Sequence, residues 1–278
     1  LVLRANGVVA PAMKEYIERG IETAETRDYD LLVIALNTPG GLIDTMTDIV
    51  TAMRESRVPI VVYVSPRGAM AGSAGTLITL AGHAAAMAPE TIIGAASPVG
   101  SGGAELGETI KAKEMEALTA LVRSIAARRS EQAIELAQAT ITEAKAVSST
   151  EALEVGLVDF MAADLDDLLR QLDGFQVTVS GQTQTLETTN ARVDNLAMSF
   201  IEQLLDILVN PNISFLLLTI GVQAILIELS SPGGWVAGFI GAVSLVLAAY
   251  GLGVLPVNWF GVLFMVIAFV LFILDIKA

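Results

Sequence analysis

The chain has 278 residues, 53% of them hydrophobic, with no cysteine, one histidine, and 30 acidic against 16 basic side chains for a net charge of −14. That balance argues against nucleic-acid binding, which needs an excess of Lys and Arg facing phosphate. The lack of cysteine removes disulfides, thiol nucleophiles and thiolate metal sites, and a single histidine argues against zinc. Charge is unevenly placed: 28 of the acidic and 15 of the basic residues precede Pro211, a balance of −13, and beyond it only Glu228, Asp275 and Lys277 are charged. The carboxyl-terminal part therefore reads as membrane-embedded. The first residue is Leu1 rather than Met, which fits removal of an amino-terminal segment such as a signal peptide.

Residues 2–10 alternate weakly and predict a strand; 12–26 predict a helix on the spacing of Met13, Tyr16, Ile17 and Ile21. Residues 31–36 form a continuous apolar run, as in a strand covered on both faces. The turn Asn37-Thr38-Pro39-Gly40-Gly41 follows, then a helix with Ile43, Met46, Ile49, Val50 and Met53 on one side, then an apolar strand over 60–64. Gly68-Ala69-Met70-Ala71-Gly72-Ser73-Ala74-Gly75-Thr76 predicts a tight turn into a helix. Short strands are expected over 84–87 and 91–95, a loop that could cover a site over 97–103, and a long helix over 105–129. A further helical turn is expected within 142–155, an acidic helix over 161–172, and a hairpin over 177–180 and 182–186. Strand–helix alternation of this kind predicts an α/β core of parallel strands, with sites at the carboxyl ends of strands, so Gly40-Gly41 and Ser73 should share one edge. Three apolar stretches close the chain, over 213–229, 235–255 and 259–274, each near the length of a spanning helix. Glu228, near the end of the first, reads as interfacial or as a cap.

The small-residue run would bring Ser73 to the first turn of a helix, where free N–H groups and the helix dipole favour developing negative charge. It is a relative of the nucleophile elbow, although an N-cap serine at a helix start reads equally well. His83 lies ten positions further on what reads as the same helix, about 15 Å of rise, so it cannot be the base for Ser73. A lysine whose amine is neutral can replace it. Lys111 and Lys113 follow the glycine-rich loop, and helical phase does not separate them; either could equally be solvated. The N–H groups of Gly40 and Gly41, with that of Ala74, would supply an oxyanion hole, unless the two glycines simply make a tight turn. Asp44 and Asp48, four apart, read as an exposed helix face rather than a carboxylate pair.

Taken together, Thr38-Pro39-Gly40-Gly41, the run from Gly68 to Thr76, Met87-Ala88-Pro89, Ile93-Gly94-Ala95-Ala96, Arg123-Ser124-Ile125-Ala126, Asn210-Pro211-Asn212, Glu228-Leu229-Ser230-Ser231-Pro232-Gly233 and Leu255-Pro256-Val257-Asn258-Trp259 resemble the NfeD-type membrane-bound serine proteases. The resemblance implies a ClpP/crotonase-like α/β domain over 1–186, a linker over 187–209 and a membrane domain over 210–278 with three transmembrane helices. It also implies a Ser-Lys dyad of Ser73 and Lys113, with Lys111 in reserve, and no cofactor or metal. Implied partners are a stomatin-like (SPFH) membrane protein, whose hydrophobic segment would be the substrate, the lipid bilayer and further copies of the chain. The protease domain would lie on the extracytoplasmic side of the plasma (inner) membrane. Ser97 stands where the family pattern has His or Arg before Pro98. The longer members carry more membrane helices and a small β-barrel, so a truncated or shorter variant is expected here. Two other functions stay open: a proteolytically silent scaffold that organises a stomatin-like partner, and crotonase-like acyl-CoA chemistry, for which no basic patch is evident.

Overall fold

A computed structural model of the chain describes residues 1–100, 107–230 and 235–254. One compact unit holds residues 1–98 and 107–203; a second takes in the chain from residue 204. In the first unit β1 (Val2–Asn6), α1 (Pro11–Thr26), β2 (Leu32–Asn37), α2 (Ile43–Glu55), β3 (Ile60–Val64), β4 (Met70–Gly72), α3 (Ala74–Ala81), β5 (Ala84–Met87) and β6 (Ile92–Gly94) follow one another. Then come α4 (Glu108–Ile125), α5 (Glu131–Thr142), β7 (Ala146–Ser148), α6 (Ser149–Glu154), β8 (Phe160–Met161), α7 (Leu165–Leu172), the hairpin β9 (Gln176–Val179) and β10 (Gln182–Thr185), and β11 (Asn195–Leu196).

Six strands form one parallel sheet in the order β11-β1-β2-β3-β5-β8. Its central strands are apolar along all but the last residue of β2, Asn37, because both faces are covered. Leu32, Ile34, Leu36, Ile60, Val62 and Val64 point into a core with α1, α2 and α3, while Val33, Val61, Tyr63, Ala84 and Ala86 point into a second with α7 and the hairpin. A smaller sheet, β4-β6-β7, stands beside it. Residues 70–72, read from the sequence as part of a turn, are therefore a short strand. The helix expected over 105–129 is shorter, and α5 was not anticipated. Its start is a plain cap, with Ser130 Oγ accepting the Ala133 N–H at 3.1 Å. The expected turn within 142–155 is α6, closed by a Ser148/Glu151 capping box. Residues 187–196, expected as linker, lie along the large sheet: Thr188 N–H reaches Asp173 at 2.8 Å, and β11 pairs with β1.

α3 ends at Ala81, so His83 is not on it. The imidazole is 5% exposed, and Nδ1 accepts the Ile60 N–H at 2.9 Å while the His83 N–H donates to the Ile60 carbonyl at 2.8 Å. Burial, helped by the charges of Arg54 and Arg128, pushes its pKa down to about 4, so it is a neutral core histidine that aligns β3 and β5. The unfolded chain takes up this proton near pH 6.5 and the folded chain only near 4, so stability present above pH 6.5 falls as pH is lowered between those values. We expect a loss of about 3 kcal/mol by pH 4, and urea midpoints of His83→Gln should lack that step.

The second unit contains α9 (Pro211–Ser230) and α10 (Val236–Val254), which follow the short α8 (Phe200–Leu208). Both are long and apolar enough to cross a membrane. They pack closely at Gly221, where a Cβ would come within 2.8 Å of Leu245. Glu228 is a cap: its carboxylate accepts the N–H groups of Trp235 at 3.1 Å and Gly238 at 3.2 Å. The third stretch, 259–274, lies outside the described residues.

Candidate active site

Two turns meet at the carboxyl ends of β2 and β4. A parallel bridge between Thr38 and Ala71 joins them, through Thr38 N–H to Met70 O at 2.7 Å and Gly72 N–H to Thr38 O at 2.9 Å. Just past that bridge Ser73 caps α3 with φ 50° and ψ −118°. The left-handed φ is costly for a residue with a Cβ, of order 1–3 kcal/mol, and such strain gathers at functional turns. Three contacts hold it. Ser73 N–H donates to Gly94 O at 2.8 Å, Thr76 Oγ1 accepts the Gly94 N–H at 3.1 Å, and Gly94 itself takes φ +129° where a Cβ would lie 2.2 Å from Lys145 O. A sequence reading singled out neither Thr76 nor Thr38. Their signals are a threonine one turn after the serine and a fully buried threonine directly before Pro39.

Gly40 faces the serine directly. At its φ of +118°, a Cβ would sit 2.6 Å from Ser73 Cβ and 3.1 Å from Ser73 Oγ, so only glycine leaves the hydroxyl accessible. The expectation that Gly40-Gly41 and Ser73 share an edge thus holds. The three N–H groups differ. That of Gly40 is already given to Thr38 Oγ1 at 3.0 Å, whereas those of Gly41 and Ala74 meet no acceptor among the described residues. Val9 pairs with the far side of the turn, its N–H reaching Gly40 O at 2.8 Å and its carbonyl accepting Leu42 N–H at 2.9 Å. One edge of Gly41 is therefore closed to a further strand.

The lysines are elsewhere in character. Lys111 and Lys113 lie in the first turns of α4, both exposed, and among the described residues neither is hydrogen-bonded to Ser73 Oγ. The cause is local: α4 buries Leu118, Thr119, Val122 and Ile125 in its later turns, while its first turns stand exposed, Ile110 at 54%. Ser97 donates its hydroxyl to the Ile141 carbonyl, which fixes the start of the loop; residues 101–106 lie outside the described residues. Among the described residues no cluster of His, Asp and Glu could hold a metal.

Replacing Gly40 by Ala should place a methyl against Ser73 and shift the Gly41 N–H. We expect reaction of Ser73 with an electrophilic fluorophosphonate probe to slow at least ~10²-fold, the range seen when one oxyanion donor is lost. Circular dichroism and melting of Gly40→Ala against the parent would show whether the fold is kept.

A parallel sheet covered on both faces, a strained serine at a strand-to-helix turn beside N–H groups without an acceptor among the described residues, and apolar helices of spanning length define an α/β protein with a serine-bearing turn and a candidate membrane region. The chain belongs to the NfeD family: residues 2–181 match the NfeD1b amino-terminal domain and residues 212–278 the NfeD integral membrane domain. It is 35% identical over 278 residues to the membrane-bound protease PH1510 of Pyrococcus horikoshii, covering 99% of this chain and 63% of that protein. It is 30% identical over 256 residues to the membrane protein NfeD1b of Bacillus subtilis, covering 87% of this chain and 54% of that protein. The chain thus spans less than two thirds of either relative. Among solved structures, the 1510-N membrane-bound stomatin-specific protease, a lysine-to-alanine variant bound to a substrate peptide, aligns with a TM-score of 0.68 at 34% identity over 74% of this chain and 95% of that one. A serine-to-alanine variant of 1510-N gives 0.66 at 33% identity, over 71% and 97%.

Proposed function

We propose that the chain is a membrane-anchored serine endopeptidase with Ser73 as nucleophile and Lys113 as base. The observation that carries this reading is the left-handed Ser73 beside the unclaimed N–H groups of Gly41 and Ala74. In the reaction the Lys113 amine takes the proton as Ser73 Oγ attacks the peptide carbonyl. The oxygen that becomes negative is met by Gly41 and Ala74, while Gly40 keeps the approach open. The lysine then gives its proton to the leaving amine, and water clears the acyl-serine. That 1510-N was solved as both a lysine and a serine variant supports a pair of this kind.

The substrate in this reading is an apolar segment of a stomatin-like (SPFH) partner. The exposed apolar side chains Val8, Leu42 and Met70 flank the turn, and the strongly acidic chain repels acidic peptides. The exposed start of α4 supports a site completed by association of protomers, which membrane anchoring would favour by raising local concentration. The domain faces the extracytoplasmic side, with Lys277 on the cytoplasmic side as the positive-inside tendency requires of a three-span chain. A proteolytically silent scaffold is the second reading, and the exposed, unengaged Lys113 favours it. A fluorophosphonate probe on the full chain separates the two: labelling that vanishes in Ser73→Ala supports the peptidase, and an unlabelled Ser73 in the assembled protein supports the scaffold.

A further inference from the structure

α8 is covered on one side and bare on the other. Phe200, Ile201, Leu204 and Ile207 are 79%, 67%, 36% and 53% exposed, and their spacing of one, four and seven residues puts them on one side of the helix. The other side is tied down. Glu202, only 7% exposed, accepts from Arg19 Nε at 2.7 Å and from its terminal nitrogen at 2.6 Å, and takes the Ser199 N–H at 2.6 Å. A polar side docked by a half-buried ion pair leaves the apolar side facing outward by construction rather than through fraying.

The chain around α8 says what covers that side. Only Val209 and Asn210 separate it from α9, so its last residue can lie no more than about 11 Å from the first residue of a helix long enough to span a bilayer. Ser214 Oγ donates to the Leu208 carbonyl at 2.6 Å, which fixes the end of α8 against the first turn of α9. α8 carries Glu202 and Asp206 and no basic residue, so it has nothing with which to seek anionic headgroups. We propose that α8 is an interfacial helix that lays Phe200, Ile201, Leu204 and Ile207 into the headgroup–acyl boundary of the membrane, by apolar contact alone.

The cysteine-free chain allows single spin labels without background. The full chain carrying Ile201→Cys, Leu204→Cys or Ile207→Cys would be reconstituted in phosphatidylcholine vesicles, with Gln182→Cys as the water-exposed control and Leu216→Cys, on α9, as the lipid control. Collision of each nitroxide with oxygen and with a water-soluble nickel complex would be read by saturation of its resonance. The three α8 labels are expected to resemble Leu216, with oxygen collision raised and nickel collision lowered relative to Gln182. Labels that behave like Gln182 would overturn the proposal, and labels shielded from both agents would replace lipid by a second copy or a partner protein. Adding phosphatidylglycerol should leave the α8 readings unchanged; a deepening with anionic lipid would overturn the apolar basis.

Discussion

Ser73→Ala and Lys113→Ala are each expected to reduce turnover of an apolar peptide by at least ~10³-fold in the membrane-reconstituted chain. The double variant should be no worse than either alone. The reason is that in the proposed dyad the two groups act on one proton in one step: without the hydroxyl there is nothing to deprotonate, and without the amine the hydroxyl stays protonated. Independent contributions would multiply instead, so a double variant far below both singles would break the dyad. Lys111→Ala should stay within about twofold, since in the proposed reading Lys113 and not Lys111 takes the serine proton. Loss in Lys111→Ala with full turnover in Lys113→Ala would transfer the role to Lys111. Dilution of the protein below its association range should lower specific activity if protomers complete the site; an unchanged value would show that one copy suffices.

The second large effect concerns stability at the edge of the large sheet. The Asp159 carboxylate accepts from both terminal nitrogens of Arg128 at 2.9 and 2.8 Å, takes the Ala85 N–H at 2.8 Å, and lies 3.6 Å from Arg129, whose side chain is 1% exposed. Arg129 donates to Gly156 O at 3.2 Å, but its Nε and second terminal nitrogen have no hydrogen bond among the described residues. Burial pushes its pKa down to about 10 against the pull of Asp159, so it stays charged at neutral pH and depends on that carboxylate. Asp159→Ala should therefore cost about 3–5 kcal/mol, because it leaves a cation buried without its anion. Arg129→Met should be neutral or mildly stabilising, and adding it to Asp159→Ala should recover part of the loss. Urea titration of the full chain in detergent measures all three, and full additivity of the two substitutions would sink the account.

Acid should act on the same hub. Burial alone would raise the Asp159 pKa, but the Arg128 hydrogen bonds, the charges of Arg129 and Arg128 and the Ala85 N–H outweigh it and hold the carboxyl below its ordinary range. A depressed folded value means that its contribution is complete above the unfolded pKa near 3.9 and is lost as pH falls through the lower folded value. The His83 loss comes earlier, between pH 6.5 and 4. Two separate phases of acid destabilisation are the expected signature.

Local chemistry alone determined much of this protein. The strands Ile60–Val64 and Ala84–Met87 and the apolar helices were legible because continuous apolar runs have few other solutions, and the meeting of Gly40 with Ser73 followed from two small-residue turns after parallel strands. The pairings that hold the site were decided only by the tertiary structure. Thr38 with Ala71, Ser73 with Gly94 and β1 with β11 join residues 21 to some 190 positions apart, and no local pattern encodes a two- or three-residue strand whose partner lies that far along the chain. The same holds for donors: sequence offered the N–H groups of Gly40, Gly41 and Ala74 as equals, and the hydroxyl of the buried Thr38 takes the first. It holds for charge as well, since a lysine's distance from Ser73 depends on what covers the first turns of α4, and these stand exposed.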